Sequence, residues 1–144
     1  MKKTIFLPVF GLLLLAVSCS RDPHILDLER FDVRWLDEDR SNTQTPADIL
    51  QFSIQINTTA RDPDDQFITE WEFSYYVNDQ FGDVLQGDSG IRSNSVVFDA
   101  DVTVKNLWLP FPGGLLPGDV VEFYLFAMDN HGERVEQRYR YVLE

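Results

Sequence analysis

From Leu26 to Leu143 apolar residues recur at every second position, the period of a strand with one buried face. The cleanest case is Leu50, Phe52, Ile54 and Ile56, which alternate with Gln51, Ser53, Gln55 and Asn57. That alternation predicts a half-buried strand. Phe31, Val33 and Trp35 predict another, with Asp32 and Arg34 between them. In the stretch Ile68 to Val77, Trp71, Phe73, Tyr75 and Val77 share one face, while Glu70, Glu72 and Ser74 share the other. Val96, Phe98, Ala100, Val102 and Val104 form the next apolar face, opposite Asp99, Asp101 and Thr103. Val120 to Asp129 is apolar on both faces, and Val135, Tyr139 and Tyr141 alternate with the polar positions of the last strand. Val84-Leu85 predicts only a short strand, ended by Gly87 and Gly90.

Between these strands lie turn formers. Arg61-Asp62-Pro63-Asp64-Asp65-Gln66 and Asn78 to Gly82 redirect the chain, and Asp129-Asn130-His131-Gly132 reads as a hairpin turn. Asp37 to Asp48, broken by Pro46, and Leu107 to Gly118, with three prolines and three glycines, read as connections. About seven short strands at this spacing, with no helical stretch beyond residue 25, imply an all-β, antiparallel β-sandwich. Its inward set is expected to include Phe52, Ile54, Trp71, Phe73, Val96, Phe98, Phe123 and Leu125.

Leu116-Pro117-Gly118-Asp119-Val120-Val121-Glu122-Phe123 followed by Ala127 to Gly132 resembles the passage between the last two strands of fibronectin type III domains. Ile68-Thr69-Glu70-Trp71-Glu72-Phe73 resembles their third strand. Asp62-Pro63-Asp64 resembles the preceding loop of bacterial immunoglobulin-like domains. The resemblance implies an immunoglobulin-like architecture over residues 26–144.

The first residues follow a different pattern. Met1-Lys2-Lys3 is a positive start, Ile5 to Val17 is an apolar run, and Ser18 is a small residue before the single cysteine. This order predicts a secretory signal over residues 1–18, the apolar run being shorter than the roughly 20 residues of a membrane span. Leu15-Ala16-Val17-Ser18-Cys19 resembles the bacterial lipoprotein signal, whose cysteine is acylated after cleavage. The resemblance implies a covalent lipid on Cys19 (palmitate among its chains), a tether over residues 19–25, and membrane attachment. Ser20, in place of aspartate after the cysteine, implies the outer membrane under the enterobacterial sorting pattern.

Composition narrows the partners. The formal charge is −12, and loss of Lys2 and Lys3 with the signal takes it to −14. Such a domain is repelled by nucleic acid and by anionic lipid. No cysteine remains for a disulfide, so packing must hold the domain, and five Tyr, three Trp and the nine of eleven Phe that follow the signal supply the area.

The chemistry-bearing residues do not add up to an enzyme. Nucleophilic catalysis needs an activated nucleophile beside an oriented base. Cys19 is assigned to acylation, His24 to the tether and His131 to a solvent-facing turn. Spacings for zinc, EF-hand calcium or a phosphate loop do not occur. Two features could bind. Asp62, Asp64 and Asp65 fall in a loop that this topology brings near Asp129 and Asn130, and calcium favours oxygen ligands. Asp62, Asp64 and Asp129 are therefore candidate calcium ligands, against the simpler reading as turn residues. Leu107 to Leu116 is apolar, and Trp108 and Phe111 are candidates for contact with a protein partner, unless the segment plugs the open end of the sandwich. The sequence thus points to a lipid-anchored, non-catalytic binding or assembly module of the bacterial cell envelope. A structural accessory subunit packed permanently into an envelope or secretion complex is the alternative.

Overall fold

The computed structural model describes residues 24–36, 49–103, 107 and 115–143. Seven strands account for most of them: β1 (Leu26–Leu36), β2 (Ile49–Thr58), β3 (Ile68–Val77), β4 (Gln80–Ser93), β5 (Ser95–Thr103), β6 (Val120–Asp129) and β7 (Arg134–Val142). Every pairing is antiparallel, in a three-stranded sheet ordered β1-β2-β5 and a four-stranded sheet ordered β4-β3-β6-β7. The two sheets face each other across one apolar layer, as the alternation in the sequence requires.

The register explains the quality of that layer. Phe52 lies opposite Val33 on one side and Ala100 on the other, and Ile54 lies opposite Phe31 and Phe98. The small Ala100 leaves room for the Phe52 ring, which meets Phe73 at 4.9 Å and Phe123 at 4.7 Å between centroids. Phe52 therefore joins the two sheets at their centre. Of the expected inward set, Phe52, Ile54, Phe73, Val96, Phe123 and Leu125 are buried. Trp71 and Phe98 are only partly buried and stack on each other at 4.5 Å at the margin of the core.

β1 changes phase along its length. Leu26 and Leu28 pack on the core at even positions, then Phe31, Val33 and Trp35 at odd ones. A bulge between Leu28 and Arg30 inserts the extra residue, Glu29, and resets the alternation. Glu29 turns outward and accepts hydrogen bonds from the side chains of Gln55 and Asn57.

β4 differs from the short strand expected at Val84-Leu85. It runs for 14 residues, straight through Gly87 and Gly90. The glycines serve the pairing with β3 instead of ending it. A Cβ on Gly87 would sit 2.9 Å from the Trp71 carbonyl oxygen, so only glycine lets β4 approach so closely there. Gly90, at φ +70°, is one of three β4 residues set against Thr69 alone where the register shifts between Ile68 and Glu70. The β3–β4 turn is correspondingly tight. Asn78 and Asp79 both have positive φ, the backbone of a two-residue hairpin.

Leu107 and Leu115 are both buried in the core cluster, so the two described positions flanking the proline-rich connection point inward. Trp108 and Phe111 lie outside the described residues.

Candidate functional site

Two regions have the chemistry to engage something else: the end of the sandwich built by the β2–β3 and β6–β7 connections, and the outer face of the four-stranded sheet.

At the end, the two connections are joined as the topology implied. Asn130 donates its backbone N–H to the Phe67 carbonyl at 3.0 Å, and its side-chain oxygen accepts from Phe67 N–H at 2.8 Å. Gln66, fully buried, organises the interior of this end. Its Oε1 accepts from the backbone N–H groups of Thr59 and Ala60, and its Nε2 donates to Asp129 Oδ2 at 2.7 Å. Asp129 is 2 % exposed. Its other oxygen, Oδ1, accepts the N–H groups of His131 at 2.9 Å and Glu133 at 2.8 Å. A buried carboxylate is tolerated only when it is hydrogen-bonded in this way.

The three aspartates proposed for calcium thus reach one end of the domain but are engaged separately. Asp129 points inward to Gln66 and to its own turn. Asp62 Oδ1 accepts the Asp64 N–H at 2.9 Å, a local turn bond. Asp64 pairs with Arg92 at 3.0 Å on the surface. Among the described residues, the side chains that do converge are His24, Asp65 and His131. Composition and spacing gave no sign of this group, because His24 and His131 are 107 positions apart. Cys19 lies outside the described residues.

The outer face of the four-stranded sheet is the second region. Side chains here follow the register: Phe81 opposite Tyr76, Val84 opposite Ser74, Ser74 opposite Tyr124, and Glu72 opposite Phe126. Phe81 is 54 % exposed and Val84 42 %. Tyr76 stacks edge-on with Phe81 at 5.6 Å and with Tyr124 at 6.5 Å. From β7, Arg138 lies over the Tyr124 ring at 5.0 Å and Arg134 over the Phe126 ring at 5.7 Å. Arg138 also pairs with Glu122 at 2.9 Å. A shallow depression of about 470 Å³ lies over Gly87, beside Val84, Phe126, Glu70 and Glu72. Burial and the nearby Glu136 carboxylate raise the Tyr124 phenol above its ordinary range. Among the described residues nothing packs against this face. The sequence pattern had marked β6 as apolar on both sides, but not that β3 and β4 would extend the patch.

No protein-family model matches the chain. No curated protein sequence matches it either. Among solved structures it is similar to the crystal structure named for the ApaA protein of Bordetella pertussis. The two share 12 % identity over 84 % of this chain and 95 % of that one, at a TM-score of 0.40.

Proposed function

We propose that this chain is a non-catalytic binding module of the bacterial cell envelope, anchored in the outer membrane by lipid on Cys19. On this reading it presents the outer face of the β4-β3-β6-β7 sheet to a protein partner. The carrying observation is that face itself: Tyr76, Phe81, Val84, Tyr124 and Phe126 form an apolar patch on a sheet whose other side already forms the core. Exposed apolar patches with polar rims are the usual mark of a partner site. Aromatic residues and arginine are the side chains enriched at such sites. Here Arg134 and Arg138 border the rings, and Glu70, Glu72 and Glu122 supply the opposite charge. A protein surface meets that mixture of signs better than a uniformly charged polymer would.

The sheet order, three strands facing four with β4 at the edge beside β3, supports a fibronectin type III-like classification of the sandwich. The anchor reading rests on the N-terminal sequence, and β1 begins seven residues after Cys19, so the domain stays near its membrane.

The test is capture from native envelopes by the tagged, lipidated full chain, beside a Tyr76→Ser/Phe81→Ser variant and a Cys19→Ala variant. One partner retained by the wild type should fall by about tenfold in the face variant, a change of roughly 1.4 kcal/mol, while that variant still unfolds cooperatively with a melting temperature lowered by no more than several degrees. Equal capture by both would exclude this face. Absence of labelled fatty acid on the wild type would remove the anchor.

A further inference from the structure

We infer that His24, Asp65 and His131 form a binding site for a borderline transition-metal dication such as Zn²⁺. Three separate segments supply the ligands: the residue ahead of β1, the β2–β3 connection and the β6–β7 turn. One nitrogen of each imidazole and one carboxylate oxygen all lie within 4.8 Å of one another. His24 Nε2 is 3.6 Å from Asp65 Oδ2. The two imidazoles lie face to face, 4.1 Å between centroids and 13° from parallel.

Tetrahedral zinc, with bonds of about 2.0–2.2 Å to nitrogen and carboxylate oxygen, needs ligand atoms roughly 3.4 Å apart. The stacked rings present nearly parallel lone pairs, so binding one ion requires the imidazoles to turn about their side-chain torsions while the backbone carrying each ligand stays fixed. Ile25, next to His24, exchanges hydrogen bonds with Thr59 Oγ1 at 3.1 and 3.0 Å. Asp65 N–H donates to the Asp62 carbonyl at 3.1 Å, and Asn130 Nδ2 donates to the Asp65 carbonyl at 3.1 Å. His131 N–H is held by Asp129 Oδ1 at 2.9 Å. His131 Nε2 lies 2.6 Å from the Asp65 carbonyl oxygen, the type of partner that orients metal-bound imidazoles.

One further observation sets this cluster apart from a chance meeting of surface groups. His24 Nδ1 is buried and has no hydrogen-bond partner among the described residues. A buried, unpaired ring nitrogen is costly unless something uses the ring. Turning the ring so that Nδ1 is the ligand atom, in place of the Nε2 that now faces Asp65, would give it a partner.

The ligand set also selects the ion. Two imidazoles and one carboxylate suit zinc, copper or nickel, whereas calcium favours a shell of oxygens. Three protein ligands leave a fourth position for water or an incoming group. Bound metal would fasten the residue that leads into β1 to both connections at this end.

Zinc competition with a chromophoric chelator tests it, using the full chain in detergent with a tag free of histidine. One zinc should bind per chain, and millimolar calcium should not displace it. His24→Ala and His131→Asn should each weaken binding by more than about tenfold, while Asp62→Asn should leave it unchanged. Each variant's melting temperature in EDTA reports whether it is folded. Wild-type binding that is undetectable overturns the inference, as does binding of equal strength in folded His24→Ala or His131→Asn protein.

Discussion

On the outer face of the three-stranded sheet, Gln51 and Ser53 of β2 lie between Arg34 and Asp32 of β1 and Asp101 and Asp99 of β5. The equivalent rows on the four-stranded sheet hold Val84, Ser74, Tyr124 and Arg138, and beside them Phe81, Tyr76, Glu122 and Arg140. Both sheets bury a similar inner layer, so the need for a core cannot explain the contrast. Those rows of the three-stranded sheet are polar, and the exposed apolar residues on this face, Val97 and Leu36, lie apart from each other near its ends. The aromatic face leaves apolar area in water, which has a free-energy cost unless a partner covers it at some stage. Ser74, buried beneath its larger neighbours with no partner for its hydroxyl, shows how closely those outward rings are packed. They form a continuous surface, and a continuous surface is what an interface needs.

If that contrast is right, substitutions must divide by face and not by residue type. The largest effect is expected at Phe52, the ring shared by both sheets. Phe52→Ala should lower stability by about 3–5 kcal/mol, measured by urea denaturation. A loss below about 1 kcal/mol, the scale of an ordinary substitution, would mean that the two sheets do not depend on this contact.

Next comes the end that closes both sheets. Asp129→Ala leaves Gln66 Nε2 and the N–H groups of His131 and Glu133 without an acceptor. The expected loss is about 2–3 kcal/mol, with faster amide exchange in the β6–β7 turn. Unchanged exchange there would show that water replaces the carboxylate freely.

The outward aromatics should behave in the opposite way to Phe52. Tyr124→Ser and Phe81→Ser are each expected to change stability by no more than about 0.5–1 kcal/mol, and to reduce binding of a hydrophobic dye by the native protein. A loss comparable to that of Phe52→Ala would turn this face into a second core and end the comparison.

The smallest expected effect at neutral pH is at Tyr141, on the inner side of β7. Its hydroxyl is buried without a partner among the described residues. Burial, with a further contribution from Tyr139, holds its phenol well above the ordinary range. A pKa raised on folding contributes stability that is complete below the unfolded value of about 10 and is lost as pH rises beyond it. Tyr141→Phe should therefore be near neutral at pH 7 and should flatten the alkaline fall in the denaturation midpoint. An unchanged alkaline slope would assign that fall to other groups, Tyr75 and Tyr124 being the next to consider.

What the sequence determined by itself was everything carried by a period of two. Leu50 to Asn57 could only be a strand with one apolar face, and the same holds for Trp71 to Val77 and Val96 to Val102. The spacing of the turn formers then made a sandwich the only economical way to bury all those faces. Where the alternation was interrupted, reading failed. Gly87 and Gly90 look like breakers when neighbours in sequence are all one sees; opposite Glu72 and beside Ser89 they are what lets two strands pair. Glu29 looks like one more exposed acid, yet it is the bulge that shifts β1 from even to odd positions.

The candidate sites depended still more on tertiary structure. The N-terminal pattern of positive start, apolar run and Cys19 is local, so its reading needed no fold. Asp129 was legible as a turn residue, but its burial against Gln66 follows from two connections meeting across the end of the sandwich. The approach of His24 to His131 comes from β1 pairing with β2 while β6 pairs with β3, which no local period records. The outer aromatic face arises in the same way. Phe81, Tyr76 and Tyr124 belong to three strands, and only the order β4-β3-β6 sets them side by side. A side chain's direction is fixed by its own backbone, whereas its neighbours across a sheet are chosen by the whole chain.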